Sequence, residues 1–412
     1  MGLTMGQRKA VTRQAARRYR SAGRVEKARI LDELCALTGW HRDHARKALR
    51  VALKPKTVSQ QRKPREPVYG QEVVTALRKV WAVLDAPSGK RLAPFLGEIV
   101  DRLIACGELE ISEATRYQLV RMSAATIDRR LAPVRAQWRP QGRSLTKPGS
   151  LLKTQIPIRT WADWNDARPG FVEIDLVGHD GGNLAGEHAF TLTVTDIATG
   201  WTENRAVRNK AQKWVLAALT EIVAGFPFPL LGIDSDNGSE FINYHLLAFC
   251  EANEITFTRS RPGNKNDGAH VEQKNWAIVR QTVGYHRYSG EVQIDLLNGI
   301  YALLRDQINF FTPQQKLVSK TRHGATVTKK HDTAKTPFQR ACADPTTDIH
   351  DKTVLHNHYL TLNPAAIRRE ILALSDALAT EVTRTYFPTQ PYTGLTHTGT
   401  SREATNPPTR AS

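Results

Sequence analysis

Four carboxylates stand where strands and one loop would deliver them to a common place. Asp175 lies inside the apolar run "FVEIDLVGH". Asp234 and Asp236 flank a serine in "GIDSDNGSEF", and Glu272 follows the loop "RPGNKNDGA" near the start of "HVEQKNWAIVRQTVGY". A charge in a buried strand costs roughly several kcal/mol unless it is paired, hydrogen-bonded or bound to metal. Carboxylates gathered at one end of a sheet repel each other, and divalent cations relieve that repulsion. Mg2+ suits such oxygen donors and keeps further positions for water and substrate phosphates. Two such ions about 3.5–4 Å apart clamp an in-line phosphoryl displacement, one activating water or a 3′-hydroxyl, the other stabilising the leaving oxygen. A buried strand aspartate is also commonly a salt-bridged structural group, so each acid taken alone leaves both readings open.

The elements that would position these acids read as an α/β sheet. "FVEIDLVGH", "FTLTVTDIATG" and "WTENRAVRN" are expected as three successive strands. In the second, Phe190, Leu192 and Val194 alternate with three threonines, which marks one buried face. The helix "AQKWVLAALTEIVAGF", the strand "LLGID", the helix "INYHLLAFCEANE" and the strand "ITFTRS" follow. Strands that then alternate with helices predict a mixed sheet of about five strands. A further helix runs to about residue 310. The basic, Thr-rich stretch "KLVSKTRHGATVTKKHDTAKT" has short strand-like pieces, and an amphipathic helix spans about 364–382 before a Thr/Pro tail.

Three of these blocks resemble the catalytic blocks of the retroviral-integrase-like DDE transposases: "FVEIDLVGH", "IDSDNGSEF" and "NDGAHVEQKN", over about residues 171–285. In that family the second block reads Asp-Asn-Gly-x-x-Phe, and the glutamate follows after 35 intervening residues. Asp236 and Glu272 have 35 residues between them, whereas Asp234 lacks the directly following Asn-Gly. The resemblance implies an RNase H-like catalytic core with Asp175, Asp236 and Glu272 as catalytic, metal-binding residues. It implies two Mg2+ ions, for which Mn2+ can substitute. Asn237 with Gly238 would form the tight turn after the strand, and Asp234 and Asn237 would support the ligands from behind. Lys265, Asn266, Lys274 and Arg280 would contact DNA phosphates, a solvated helix face being the alternative for the last two. Asp196, in "DIATG", is read as structural; His179 and Asp180 lie near Asp175 but off the motif. The zinc-binding His-His-Cys-Cys domain of retroviral integrases is missing, so the resemblance is to bacterial insertion-sequence transposases.

Composition points the same way. The chain has 412 residues and a formal charge of +18, a field that favours polyanions, nucleic acid before anionic membrane. Residues 1–65 carry 18 Lys and Arg against 4 Asp and Glu, a concentrated basic patch. The apolar residues Ile30, Leu31, Leu34 and Leu37 recur at helical spacing, and glycines 23 and 39 close two helices. The next helix bears Arg42, His44, Arg46, Lys47 and Arg50, the pattern of a helix-turn-helix entering a major groove. "ISEATRYQLVRMSAATIDRRLAPV" offers a second such motif, with Ser123 as N-cap and Arg129, Arg130 and Arg135 on its last helix. His41 and His44 lack the partners a zinc site needs. The four cysteines form no CxxC pair, as expected in a reducing cytosol. No apolar run approaches the roughly 18 residues that span a bilayer, and no apolar segment follows the basic N-terminus, so neither membrane nor secretion is expected.

The expected organisation is multidomain. A helix-turn-helix domain (1–54) and a linker (55–68) precede a second helical, helix-turn-helix-like domain (69–138) and a second linker (139–170). The RNase H-like core (171–312) is followed by a basic segment (313–362) read as a small β domain, a C-terminal helix (363–384) and a tail (385–412). The expected function is that of an insertion-element DNA transposase that binds terminal inverted repeats and catalyses Mg2+-dependent cleavage and 3′-OH strand transfer. Its partners would be double-stranded DNA, as element ends and target, and further copies of itself in the DNA complex. The expected location is a bacterial cytoplasm, at the nucleoid. A DNA-binding regulator on an inactive core, and a nuclease of the same fold without strand transfer, are the alternatives.

Overall fold

The computed structural model describes residues 3–54, 68–136, 168–235, 238, 240–241, 243–259, 271, 274–324 and 326–386, in two compact units, Met1–Val68 and Tyr69–Ser412. The first unit holds α1 (Met5–Ser21), α2 (Arg24–Thr38) and α3 (Arg42–Ala52). Thr4 and Gln7 form a capping box at the start of α1, satisfying two backbone donors reciprocally. Gly39, at φ 71, ends α2 in the left-handed conformation that glycine adopts without strain. Ala16, Leu31, Leu34, Ala45 and Leu49 make the small core. Leu37, expected on the same stripe, is 58% exposed, because it falls at the edge of the arc centred on Leu34 and Thr38.

The second unit is built around a five-stranded mixed sheet in the order β3-β2-β1-β4-β5. Its strands are β1 (Phe171–Gly178), β2 (Phe190–Asp196), β3 (Thr202–Val207), β4 (Gly232–Ser235) and β5 (Thr256–Arg259). The first three pair antiparallel; β1–β4 and β4–β5 pair parallel, across the crossover helices α8 (Gln212–Gly225) and α9 (Tyr244–Ala252). One face presents Val172, Ile174, Leu192, Val194 and Ile233 to Val215, Leu219, Leu246 and Cys250 of these helices. The opposite face, which carries the three threonines of β2, is covered too: Thr191, Thr193 and Thr195 are all buried. The long helix Glu291–Phe311 lies over it, with Tyr301 Oη 2.7 Å from Thr191 Oγ1 and Asn309 Nδ2 donating to the Thr202 carbonyl at 2.9 Å. Threonine suits such a face because it is β-branched and its hydroxyl finds partners.

Helices α4 (Gln71–Val83), α5 (Gly89–Ala105), α6 (Glu113–Val120) and α7 (Ala124–Arg135) belong to this second unit, and Ser123 caps α7 as expected. Their core residues, among them Leu77, Trp81, Phe95 and Ile99, join one cluster with Phe310, Tyr359 and Ile371. Polar ties reinforce the joint: Gln307 Nε2 donates to the Val83 carbonyl at 3.0 Å, and Arg102 Nε donates to the Leu362 carbonyl at 2.9 Å. The basic segment after residue 312 holds one hairpin, β6 (Leu317–His323) with β7 (Thr326–His331), and then the helices Pro337–Ala343 and Ile349–Thr361 rather than a β domain. The helix Pro364–Tyr386 follows. The segment after Lys274, expected as plain α-helix, runs as a π-helix over Asn275–Arg280.

Candidate active site

Asp175 occupies β1 and is half-buried in a strand that is otherwise largely enclosed. Its Oδ1 accepts from the Leu176 N–H at 2.8 Å, and its Oδ2 accepts from Asn275 Nδ2 at 2.6 Å. Asn275 stands three residues beyond Glu272 in the chain, so this bond ties β1 to the segment that carries the glutamate. The parallel ladder supplies the third approach: Ile174 pairs with Ser235, the residue immediately before Asp236. Asp236, Asn237, Lys265, Asn266 and Glu272 themselves lie outside the described residues. Accordingly, no group of three or more His, Cys, Asp or Glu side chains arranged to hold a metal occurs among the described residues.

Beneath Asp175 lies a row of buried polar groups. Glu173 is 1% exposed, and its Oε2 accepts from the Val271 N–H at 3.1 Å. In register beside it across the parallel ladder is Asp234, also 1% exposed, whose Oδ1 accepts from Thr258 Oγ1 at 2.6 Å. Residues paired in register share a face, so Glu173, Asp234 and Thr258 form one line across β1, β4 and β5. Asp196 stands apart at the end of β2. Its carboxylate accepts from the Gly170 N–H at 2.9 Å, the Thr199 N–H at 2.7 Å and Thr199 Oγ1 at 2.6 Å. Burial pushes its pKa up, and the Thr199 and Gly170 donors oppose that shift. His179, also off the motif, is buried with Nε2 2.8 Å from Thr191 Oγ1, and burial pushes its pKa down to about 3.

The two expected phosphate contacts on the segment after Glu272 face the protein. Lys274 Nζ donates to Gln314 Oε1 at 2.6 Å and to the Gly200 carbonyl at 3.2 Å. Burial, with Arg91, Lys316 and Arg340 nearby, pushes its pKa down to about 7. Arg280 donates to the Gly178 carbonyl at 2.7 Å and lies over the Tyr285 ring. Arg280 closes the π-helical stretch, and widening the turn by one residue rotates side chains there off the positions an α-helix would give.

With this geometry in place, comparison with known proteins is decisive for the family. A family model described as an integrase core domain matches residues 165–265, ending short of Glu272. The uncharacterized protein y4rM of Sinorhizobium fredii (strain NBRC 101917 / NGR234) is 40% identical over 338 residues, 82% of this chain and 96% of that protein. The chain belongs to the integrase and DDE-transposase-like family. Two solved structures are also similar to part of this integrase-like chain. The HTLV-2 integrase catalytic core in complex with magnesium, a dimeric form, shows 14% identity and a TM-score of 0.27, covering 35% of this chain and 90% of that one. The catalytic core of BIV integrase shows 16% identity and a TM-score of 0.27, covering 41% and 91%.

On the first unit of this integrase-family chain, α3 exposes His44, Lys47 and Arg50 along one side. Arg42 is paired with Asp32, and Arg46 Nη1 donates to Asp43 Oδ1 at 2.9 Å, so part of the expected charge is met within the unit. In the second unit Arg129 is exposed and Arg130 half-buried. Arg135 turns inward, 3.0 Å from Asp128 Oδ1 and over the Trp81 ring. Sequence reading passed over Glu173 and Asn275. The signal for Glu173 was present, because it lies two residues before Asp175 and therefore on the same strand face. No helix among the described residues is long and apolar enough to cross a membrane.

Proposed function

We propose that this protein is the DNA transposase of an insertion element, binding the element's terminal inverted repeats and carrying out cleavage and 3′-OH strand transfer. The observation that supports it most is the tie between β1 and the Glu272 segment. Asn275 holds Asp175 at 2.6 Å, while the β1–β4 ladder ends one residue short of Asp236. The segment after Val271 is thus joined to β1 at Asp175, and the strand that precedes Asp236 in sequence lies beside β1.

The donor set fits a hard divalent cation, because all three groups are carboxylates, the oxygen donors such an ion prefers. Asp175, Asp236 and Glu272 would hold the Mg2+ ions, which when bound lower the pKa of an attacking oxygen and neutralise charge on the phosphate. The chain's own contribution is positioning. Asn275 fixes one rotamer of Asp175, and Asp234, held by Thr258, braces β4, whose last residue precedes Asp236. DNA would be gripped by the exposed side of α3 and by the hairpin β6–β7. That hairpin carries Arg322, Lys329 and Lys330 and no acidic residue, and its second strand is exposed throughout. Assembly of two DNA ends requires more than one protomer.

The test is strand transfer by purified full-length protein on a fragment carrying the element's own ends, with Mg2+. Joined products that vanish in Asp236→Asn support the proposal. Tight end binding without any cleavage would favour a regulator, and hydrolysis without joined strands a nuclease. The DNA flanking the gene gives an independent check. Inverted repeats inside short direct duplications are expected, and their absence from several copies would count against transposition.

A further inference from the structure

We infer that Glu173 is a positioning residue, setting the placement of Glu272 through the backbone N–H of Val271. The inference rests on the catalytic reading above and deepens it. Burying a carboxylate to 1% exposure, here in register with Thr195 and with a second carboxylate, Asp234, costs roughly several kcal/mol, and an isosteric apolar or amide side chain would lower that cost. A carboxylate at this position therefore calls for a partner that uses it. One partner is a backbone donor 98 positions away in sequence, Val271 N–H at 3.1 Å, in the residue immediately before Glu272.

Asn275 makes the complementary tie. Residues 271 and 275 fasten to the same strand, at residues 173 and 175 respectively. The two bonds anchor alternate residues of β1 to the segment that begins at Val271, and second-layer partners of this kind govern how well ligands bind metal. Glu173 does not act on DNA or metal itself; it acts through the peptide of Val271.

The experiment uses the full-length protein with Glu173→Gln, which keeps an acceptor oxygen, and Glu173→Met, which keeps volume but removes the acceptor. Mn2+ binding by electron paramagnetic resonance and the Mg2+ concentration for half-maximal cleavage are read together. Glu173→Met is expected to weaken Mn2+ binding about tenfold and raise the Mg2+ requirement in step, with Glu173→Gln within about twofold of wild type. Wild-type affinity in Glu173→Met, or equal losses in both variants, would overturn the inference. If Glu173→Met does not fold, amide exchange at Val271 in the wild-type protein decides. Strong protection supports the tie, and exchange at the rate of an unstructured peptide refutes it. Wild-type protein that binds no Mn2+, unchanged by Asp175→Asn, would instead remove the catalytic reading on which the inference rests.

Discussion

Asp196 and Asp175 are both aspartates on neighbouring strands, and their surroundings assign them opposite consequences. Asp196 is fully buried and receives three donors, from Gly170 and twice from Thr199, which close the turn that ends at Gly200. Asp196→Ala leaves these donors without their acceptor. Each orphaned buried donor costs about 1–3 kcal/mol, and water entering the small cavity favours the low end, so the total is about 3 kcal/mol. Asp175 is half-buried, and Asp175→Asn keeps its shape and an acceptor oxygen for Leu176 or Asn275. Its expected effect on stability is within about 1 kcal/mol, while cleavage is abolished. Urea unfolding of the full-length variants, followed by circular dichroism without added metal, reads the first quantity, and Mg2+-dependent cleavage at low temperature reads the second. Asp196→Ala is expected to unfold at clearly lower urea yet to cleave at near the wild-type rate per folded molecule. Unchanged stability together with lost cleavage in Asp196→Ala would refute the assignment, and so would severe unfolding by Asp175→Asn.

Three further outcomes follow from other contacts. Asn275→Ala removes the 2.6 Å bond to Asp175 and is expected to lower Mg2+-dependent cleavage at least tenfold, measured at fixed DNA and varied Mg2+. His179 is held neutral by burial, its pKa pushed down to about 3, whereas in the unfolded chain it takes a proton near its ordinary value of 6.5. Its contribution is therefore present above about pH 6.5 and lost as pH falls toward 3, at up to about 1.4 kcal/mol per pH unit. Urea midpoints at pH 7.5, 6 and 5 should fall more steeply for wild type than for His179→Asn. Replacing Lys329 and Lys330 together by alanine should lower the slope of log affinity for duplex DNA against log salt by about 1.8, without moving the unfolding transition, since both are exposed.

Much of the fold was legible because it is local. Helix ends at Gly23 and Gly39, the cap at Ser123, and the alternating strands all announce themselves within a few residues. The covered second face of the sheet did not. The alternation in β2 marks only the face of Phe190, Leu192 and Val194, and what buries Thr191, Thr193 and Thr195 is a helix about a hundred residues later, whose Tyr301 completes the contact. The shared core of α4–α7 with the C-terminal helices was hidden for the same reason. Gln307, Arg102 and Glu108 act on partners more than two hundred positions away, and no periodicity encodes that distance. Lys274 misled because its partners, the Gly200 carbonyl and Gln314, lie 74 and 40 positions away.

The carboxylates show where sequence reading stops and why. In a strand, an acid that ties a turn, an acid that props a neighbour and an acid that binds a ligand have the same local signature. What separates them is the origin of the donor. Asp196 takes two of its bonds from its own turn and the third from Gly170, just before β1, so it ties a turn to a strand end. Asp234 takes one from the adjacent strand through Thr258 and stiffens the sheet beside the site. Glu173 and Asp175 take theirs from residues 271 and 275, near a hundred positions away, in the segment that carries Glu272. Donors from so far along the chain are costly to arrange, because closing a long loop adds entropy that a single hydrogen bond does not recover. Two such bonds tie alternate residues of β1 to the segment that begins at Val271, and they are the contacts through which Asn275→Ala and Glu173→Met are expected to act.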